Sequence, residues 1–480
     1  MKNVRELEPT SVFGFFADIC RIPRGSYNTK KISDFLVEFA KERNLRYIQD
    51  ELNNVIIYKD ATFGYEDSST IILQGHMDMV CEKTDSCNKD MTEEGIDLIV
   101  EDDWLTAVDT TLGADNGIAV AYMLAVLDAA DLKHPAIECV FTSDEETGLE
   151  GAEGLDGSKL KGRKMINLDS EEEGVFSVSC AGGVTADVFI PIERTSAKGR
   201  AYALTISGLL GGHSGMEINK EHGNANVLMG RILNEINKEI PLNIVTVNGG
   251  NADNVICKRC DAVFCTEEKG VLEKVAAIEK VLITEYATSD PGIRLSVEDS
   301  AADNMLSDES TEKVISYLLC APYGIQNMSA DIDGLVETSL NLGVLNIKEN
   351  DMYALYSVRS SVKSRQNYTC DKLEALVKLL GGHIELKSSY PGWVYRIDSP
   401  LRDLCVNVFR EQYGYEPKIE AIHAGLECGF FAGKFNDDFD AVSFGPDLAN
   451  VHTPDEKMSI SSANRVWTYL CNVLEASKEY

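Results

Sequence analysis

Ile71-Ile72-Leu73-Gln74-Gly75-His76-Met77-Asp78 is an apolar, β-branched run that ends in Gly-His-x-Asp. The run reads as a buried strand, and the chain must turn where its alternation breaks. His76 and Asp78 are two residues apart, so in extended backbone they point to the same side. In an α/β sheet, ligands bind outside the carboxyl ends of the strands. A metal-binding imidazole with a carboxylate to orient it therefore stands where such a fold places its site.

Similar residues recur at other strand exits. Leu112-Gly113-Ala114-Asp115-Asn116-Gly117 precedes an Ala/Val/Leu-rich helix predicted over 118–129, which puts Asp115 in the turn that opens it. The predicted strand 137–142 runs into Ser143-Asp144-Glu145-Glu146-Thr147-Gly148, and the strand 165–169 carries Asp169 at its end. A late strand at 441–444 exits through Gly445-Pro446-Asp447 towards His452. Helices predicted at 9–20 and 31–43 and short strands at 47–50 and 55–58 fill in the alternation. The segment 82–103 is polar and acidic and reads as a long excursion beside the site.

The character changes near 180–183. Strands at 184–191, 200–207, 244–248 and 262–266 alternate with helices at 224–237 and 270–287, and 352–358 with 372–380 fits a further strand and helix. After Arg396-Ile397-Asp398-Ser399-Pro400 the first pattern resumes, with helices at 401–413, 427–434 and 462–477. The expected fold is α/β: a three-layer catalytic domain with a mixed sheet, built from 1–183 and 397–480 and interrupted by an inserted α+β lid domain over 184–396.

At 480 residues the chain exceeds one ordinary core. A net charge of −33 argues against nucleic acid and anionic membranes as partners. No run reaches the roughly eighteen apolar residues of a membrane helix, and the charged N-terminus lacks a signal peptide's apolar centre, so a cytoplasmic protein is expected. The 13 cysteines are scattered, and Cys257/Cys260 form the only C-x-x-C, so a zinc ribbon is unsupported and reduced thiols are expected.

Zinc and its neighbours take imidazole nitrogen and carboxylate oxygen. Two-metal hydrolases hold their ions about 3.5–4 Å apart, which calls for a bridging ligand. A carboxylate can bridge and an imidazole cannot. Two His, one bridging acid and two terminal acids suffice for two ions with open positions, and an adjacent Glu pair suits one metal ligand beside one proton carrier. Each residue alone has a plainer account: a hydrogen-bonded His76, an N-capping Asp115, a solvated Glu145-Glu146 pair. Together, at successive strand exits, they make a metal site the better account.

The motifs Gly75-His76-Met77-Asp78, Gly113-Ala114-Asp115-Asn116-Gly117, Asp144-Glu145-Glu146-Thr147-Gly148, Asn167-Leu168-Asp169 and His452-Thr453-Pro454-Asp455-Glu456 resemble those of the co-catalytic zinc peptidases that include carboxypeptidase G and the carnosinases. Leu209-Leu210-Gly211-Gly212-His213-Ser214-Gly215, Ile422-His423-Ala424-Gly425-Leu426-Glu427-Cys428-Gly429 and the long lid are most similar to the branch of bacterial aminoacyl-histidine dipeptidases. The resemblance implies two divalent ions, zinc first, with cobalt or manganese as alternatives. By the same resemblance His76 and Asp169 would bind one ion, Glu146 and His452 the other, and Asp115 both. Asp78 would orient His76, Glu145 would be the general base, and the Asp115–Asn116 bond would be cis. In the lid, His213 would stabilise the oxyanion and Asn254 and Arg359 would hold the substrate's C-terminal carboxylate or the transition state, while the Gly-flanked loop at His423 suits the substrate pocket. The implied activity is hydrolysis of small unblocked dipeptides, Xaa-His among them, by a homodimer. The alternatives are a related amidase (a deacylase of N-acyl amino acids or a tripeptidase) and a silent binding protein of the same fold. His134 and His383 carry no motif and are expected at the surface.

Overall fold

Every residue of the strand Ile71–His76 is buried, as a strand covered on both faces requires. The computed structural model of the chain describes residues 3–435 and 438–479. These fall into two compact units. The first holds the residues up to Ser179, Tyr395–Ala421 and those from Leu426 on; the second holds Cys180–Val394 and Ile422–Gly425. The short Ile422–Gly425 stretch thus groups with the second unit, although it lies inside the 397–480 segment expected to be wholly catalytic.

An eight-stranded mixed sheet organises the first unit, in the order Arg46–Gln49, Val55–Lys59, Ile137–Thr142, Ile71–His76, Lys164–Asn167, Asp440–Ser443, Val175–Cys180, Lys418–Ile422. The four strands from Ile137–Thr142 to Asp440–Ser443 run parallel, so their carboxyl ends open on one edge. Alternation sends Ile71, Leu73, Cys139, Phe141, Ile166 and Val442 into the main core with the helices Thr10–Ile19, Lys30–Glu42, Ala114–Asp128, Pro400–Tyr413 and Ile460–Ala476. Ala114–Asp128 is apolar nearly all round and is buried on almost every residue, which marks it as a central helix rather than a surface one. Phe176 packs against Phe409 at 5.5 Å and Phe444 against Tyr469 at 4.9 Å between ring centres, so both ends of the chain share one core.

The acidic excursion at 82–103 is more ordered than its composition suggests. Leu98–Glu101 and Trp104–Ala107 form a hairpin around Asp102, whose φ is +52°, and join Lys457–Ser459 and Leu448–Ala449 in a four-stranded sheet. Strands this short leave too little alternation to stand out among so many acids. This small sheet carries the turn on which His452 sits. His134 also differs from expectation: it is fully buried, with Nδ1 2.7 Å from the Pro135 carbonyl.

The second unit is a largely antiparallel nine-stranded sheet with the helices Ala225–Asn237, Val271–Glu285, Asp308–Cys320 and Lys363–Leu379 over its own apolar core. The last helix starts at Lys363, well before the predicted 372. All 13 cysteines are free thiols. No helix among the described residues is long and apolar enough to cross a membrane.

Candidate active site

His76 is the last residue of its strand and is buried. Gly75 precedes it because a Cβ there would fall 2.4 Å from Asn116 Oδ1 and 2.6 Å from Ala119 Cβ. The His76 ring lies between three acids: Nδ1 is 3.2 Å from Asp78 Oδ1, and Nε2 is 3.1 Å from Asp115 Oδ1 and 3.5 Å from Asp169 Oδ1. His452 approaches from the opposite side, with Nε2 3.0 Å from Asp115 Oδ2 and 3.0 Å from Glu146 Oε1. The two oxygens of Asp115 therefore face two different imidazoles, and each imidazole has a further acid of its own.

Asp78 organises more than His76. Its carboxylate accepts the backbone N–H of Glu145 at 3.1 Å and that of Glu146 at 3.4 Å, and the Ser26 hydroxyl at 2.8 Å. One buried carboxylate thereby sets both the His76 tautomer and the position of the Glu145-Glu146 pair. Such outer partners typically tune metal affinity 10–100-fold. Asp78→Ala is accordingly expected to weaken metal binding by about 10–100-fold, as titration against a competing chelator would measure. Unchanged affinity would show that Asp78 is not an orienting group.

The loop before Asp115 is held from two sides. Glu456 accepts the backbone N–H groups of Leu112 at 2.8 Å, Gly113 at 2.9 Å, Ala114 at 2.7 Å and Asp115 at 3.3 Å. Buried Arg24 donates to the Met77 and Asp78 carbonyls, each at 3.0 Å, and to the Gly113 carbonyl. Gly113 is left-handed at φ +68°, and a Cβ there would meet Arg24 Nη2 at 2.5 Å. The Asp115–Asn116 peptide is cis. Asn116 accepts the His76 N–H at 3.1 Å and donates to the Leu168 carbonyl at 2.8 Å, fastening two strand exits to the start of the helix.

The electrostatics are those of crowded acids around two imidazoles. Burial raises Glu145 well above the ordinary Glu value, and Asp169, Glu427 and Glu146 add to the rise against the pull of His76. Burial likewise pushes Asp169 up to about 6 and Glu171 up to about 7. Asp115 is held low despite its burial, because His452 and His76 bond to it. The bonds to Asp115 and Glu146 push His452 up to about 11. A cluster of this kind holds more carboxyl groups than its two imidazoles can balance. Its donors, imidazole nitrogen and carboxylate oxygen, are those that divalent first-row ions accept, and one ligand atom from each of His76, Asp115 and Glu146 lies within 4.8 Å of the others. The residues present fit a metal centre.

The remaining sequence candidates lie together in the second unit. His213, on the short strand Gly212–His213, pairs with Val255 next to Asn254, and Asn254 accepts the Ser214 N–H at 2.8 Å through its carbonyl. Arg359 is the cross-strand partner of Ser339, whose hydroxyl lies 2.7 Å from His423 Nε2. Arg359 donates to the Tyr390 hydroxyl at 2.9 Å, and its Nε is buried without a partner. Burial and the neighbouring Arg359 depress both imidazoles, His423 to about 3. His213 Nδ1 accepts the N–H groups of Gly215 at 3.3 Å and Met216 at 3.2 Å, which leaves its proton on Nε2.

Sequence reasoning missed Arg24, Ser26 and Glu427, and it left Glu456 without a role. Arg24 and Ser26 lie in Arg21-Ile22-Pro23-Arg24-Gly25-Ser26, which reads only as a helix breaker. An Arg between Pro and Gly was the available signal.

With this geometry established, the family model for Peptidase family M20/M25/M40 matches residues 72–476, and the chain belongs to that family. It is 36% identical over 481 residues to the cytosol non-specific dipeptidase of Escherichia coli (strain K12), with 99% of each chain covered. The crystal structure of an aminoacylhistidine dipeptidase from Vibrio alginolyticus superposes with a TM-score of 0.95 at 35% identity, covering 99% of this chain and 98% of that one. Aminopeptidase PepT of Bacillus cereus, at 15% identity and a TM-score of 0.58, shares the fold.

Proposed function

We propose that the chain is a metal-dependent dipeptidase that hydrolyses small unblocked dipeptides, Xaa-His among them. One observation carries this reading: the two oxygens of Asp115 each face a different imidazole, at 3.1 and 3.0 Å. The full-length likeness to two dipeptidases supports the choice of substrate. His76 and Asp169 would hold one ion, Glu146 and His452 the other, and Asp115 both. Once bound, such ions would supply Lewis acidity and lower the pKa of water towards neutrality.

The chain's own residues do the rest. Glu145 takes the proton from the attacking water and passes it to the leaving amine. Asp78 keeps Glu145 and His76 in place. His213, with its free proton on Nε2, would donate to the developing oxyanion, in its own chain's site or in that of a neighbouring subunit. Arg359, with Asn254, holds the substrate's terminal carboxylate, a task suited to a guanidinium fork with an unused Nε. His423, kept neutral by burial and by Arg359, helps line the substrate pocket. The reading extends to zinc as the resident ion, with cobalt or manganese accepting the same donors, to a homodimer, and to the cytoplasm, which suits 13 free thiols.

Substrate profiling tests it. Metal-loaded protein is expected to cleave Ala-His, β-Ala-His and Ala-Ala and to leave an N-acetylated amino acid intact. Activity confined to the acylated compound would make the protein a deacylase instead, and no turnover on any of them would contradict an enzymatic role.

A further inference from the structure

A buried polar layer lies one step beneath the proposed ligands. Gln74 and Asn167 are register partners in neighbouring parallel strands, and each stands two residues before a proposed ligand, His76 and Asp169. Thr142 is the register partner of His76 and ends the strand that leads to Glu145. Glu427 closes this layer from outside the strands, just ahead of the helix Cys428–Phe435. All four side chains are buried: Gln74, Thr142, Asn167 and Glu427 each have 0% exposure.

Their hydrogen bonds run in one direction. Asn167 Nδ2 donates to Gln74 Oε1 at 2.6 Å. Gln74 Nε2 donates to Thr142 Oγ1 at 3.1 Å and to Glu427 Oε2, and Thr142 Oγ1 donates to the same Oε2 at 2.7 Å. Glu427 is thus the terminal acceptor, and it decides which way the Gln74 amide points. That amide in turn orients Asn167. Without the acceptor, the buried Gln74 amide keeps only Thr142 Oγ1 and the buried Thr142 hydroxyl keeps only a long 3.4 Å contact to the Gly75 carbonyl, and the three strand exits above them lose a common anchor.

We infer that Glu427 is a positioning residue for the reaction, acting through Gln74, Thr142 and Asn167 on the strand exits that carry His76, Glu145 and Asp169. The role needs an acceptor rather than a charge. Glu427 Oε1 is buried without a hydrogen-bond partner, so the network is served by Oε2 alone, and Oε2 serves it as an acceptor. The inference rests on the dipeptidase reading for its kinetic test and on the metal centre alone for its spectroscopic one.

The test compares Glu427→Gln with Glu427→Leu, both loaded with cobalt. Gln keeps the acceptor and is expected to hold kcat within about three-fold and to leave the visible cobalt bands unchanged. Leu removes the acceptor and is expected to lower kcat per metal-loaded site at least about ten-fold, with KM within about three-fold and altered cobalt bands. A structural role alone would lower the melting temperature and spare both readouts. If the Leu variant fails to fold, Gln74→Met removes the same link and is expected to show the same losses. The inference is overturned if the acceptor-less variant keeps both kcat and the cobalt spectrum, or if Gln is as impaired as Leu. Wild-type protein that binds cobalt but cleaves no dipeptide would sink the dipeptidase reading, and the cobalt bands would then decide the inference alone.

Discussion

Asp115→Asn is expected to leave a folded protein that no longer holds two ions and turns over dipeptides at least about a thousand-fold more slowly, equivalent to about 4 kcal/mol. The substitution keeps the size of the side chain and replaces one oxygen with an NH2 group that cannot ligate a cation. Asp115 is where the two halves of the site meet, with His76 on Oδ1 and His452 on Oδ2. The loop itself does not depend on the carboxylate, since Glu456 and Arg24 hold its backbone through Leu112–Asp115 N–H groups and the Gly113 carbonyl. Circular dichroism should match the wild type while metal content falls from two ions towards one or none. Two retained ions with near-normal kcat/KM would show that Asp115 does not bridge.

Glu145→Gln separates proton transfer from metal binding. A positioned general base contributes roughly 10²–10⁴ in rate, so a loss of kcat in that range is expected with KM and both ions kept. The geometry favours a clean result. The Glu145 backbone is fixed by its N–H bond to Asp78, so Gln at this position keeps the backbone where it was. Gln also removes a carboxylate that Asp169, Glu427 and Glu146 repel, so the substitution adds no charge conflict to the cluster. A variant that lost its metal as well as its activity would place Glu145 among the ligands instead.

The parallel strands of the first unit were legible because burial on both faces demands near-continuous apolar runs, as in Ile71–Leu73 and Ile137–Thr142. The site candidates were legible because His76, Glu146 and Asp169 follow such runs closely, Asp115 opens an apolar helix, and His452 lies beyond the late strand Asp440–Ser443, so they could be gathered without a structure. Three things were not. The hairpin at Leu98–Glu101 and Trp104–Ala107 is too short for its alternation to rise above the acidic background. Arg24 and Glu427 act through side chains that reach partners 53 and 353 positions away in sequence, and nothing local distinguishes a buried polar side chain from a surface one. Glu456 was visible within a motif, but its bonds to four backbone N–H groups emerge only when the loop from Leu112 to Asp115 is folded against it. His134 shows the converse: a histidine without a motif turns out to be a buried structural residue.

The most direct measurement is anomalous diffraction from crystals of the zinc-loaded protein. Two peaks about 3.5–4 Å apart are expected, one on the His76 side and one on the His452 side of the Asp115 carboxylate, with one oxygen of that carboxylate on each. A single peak, or two ions with Asp115 bound to only one, would contradict a bridging Asp115.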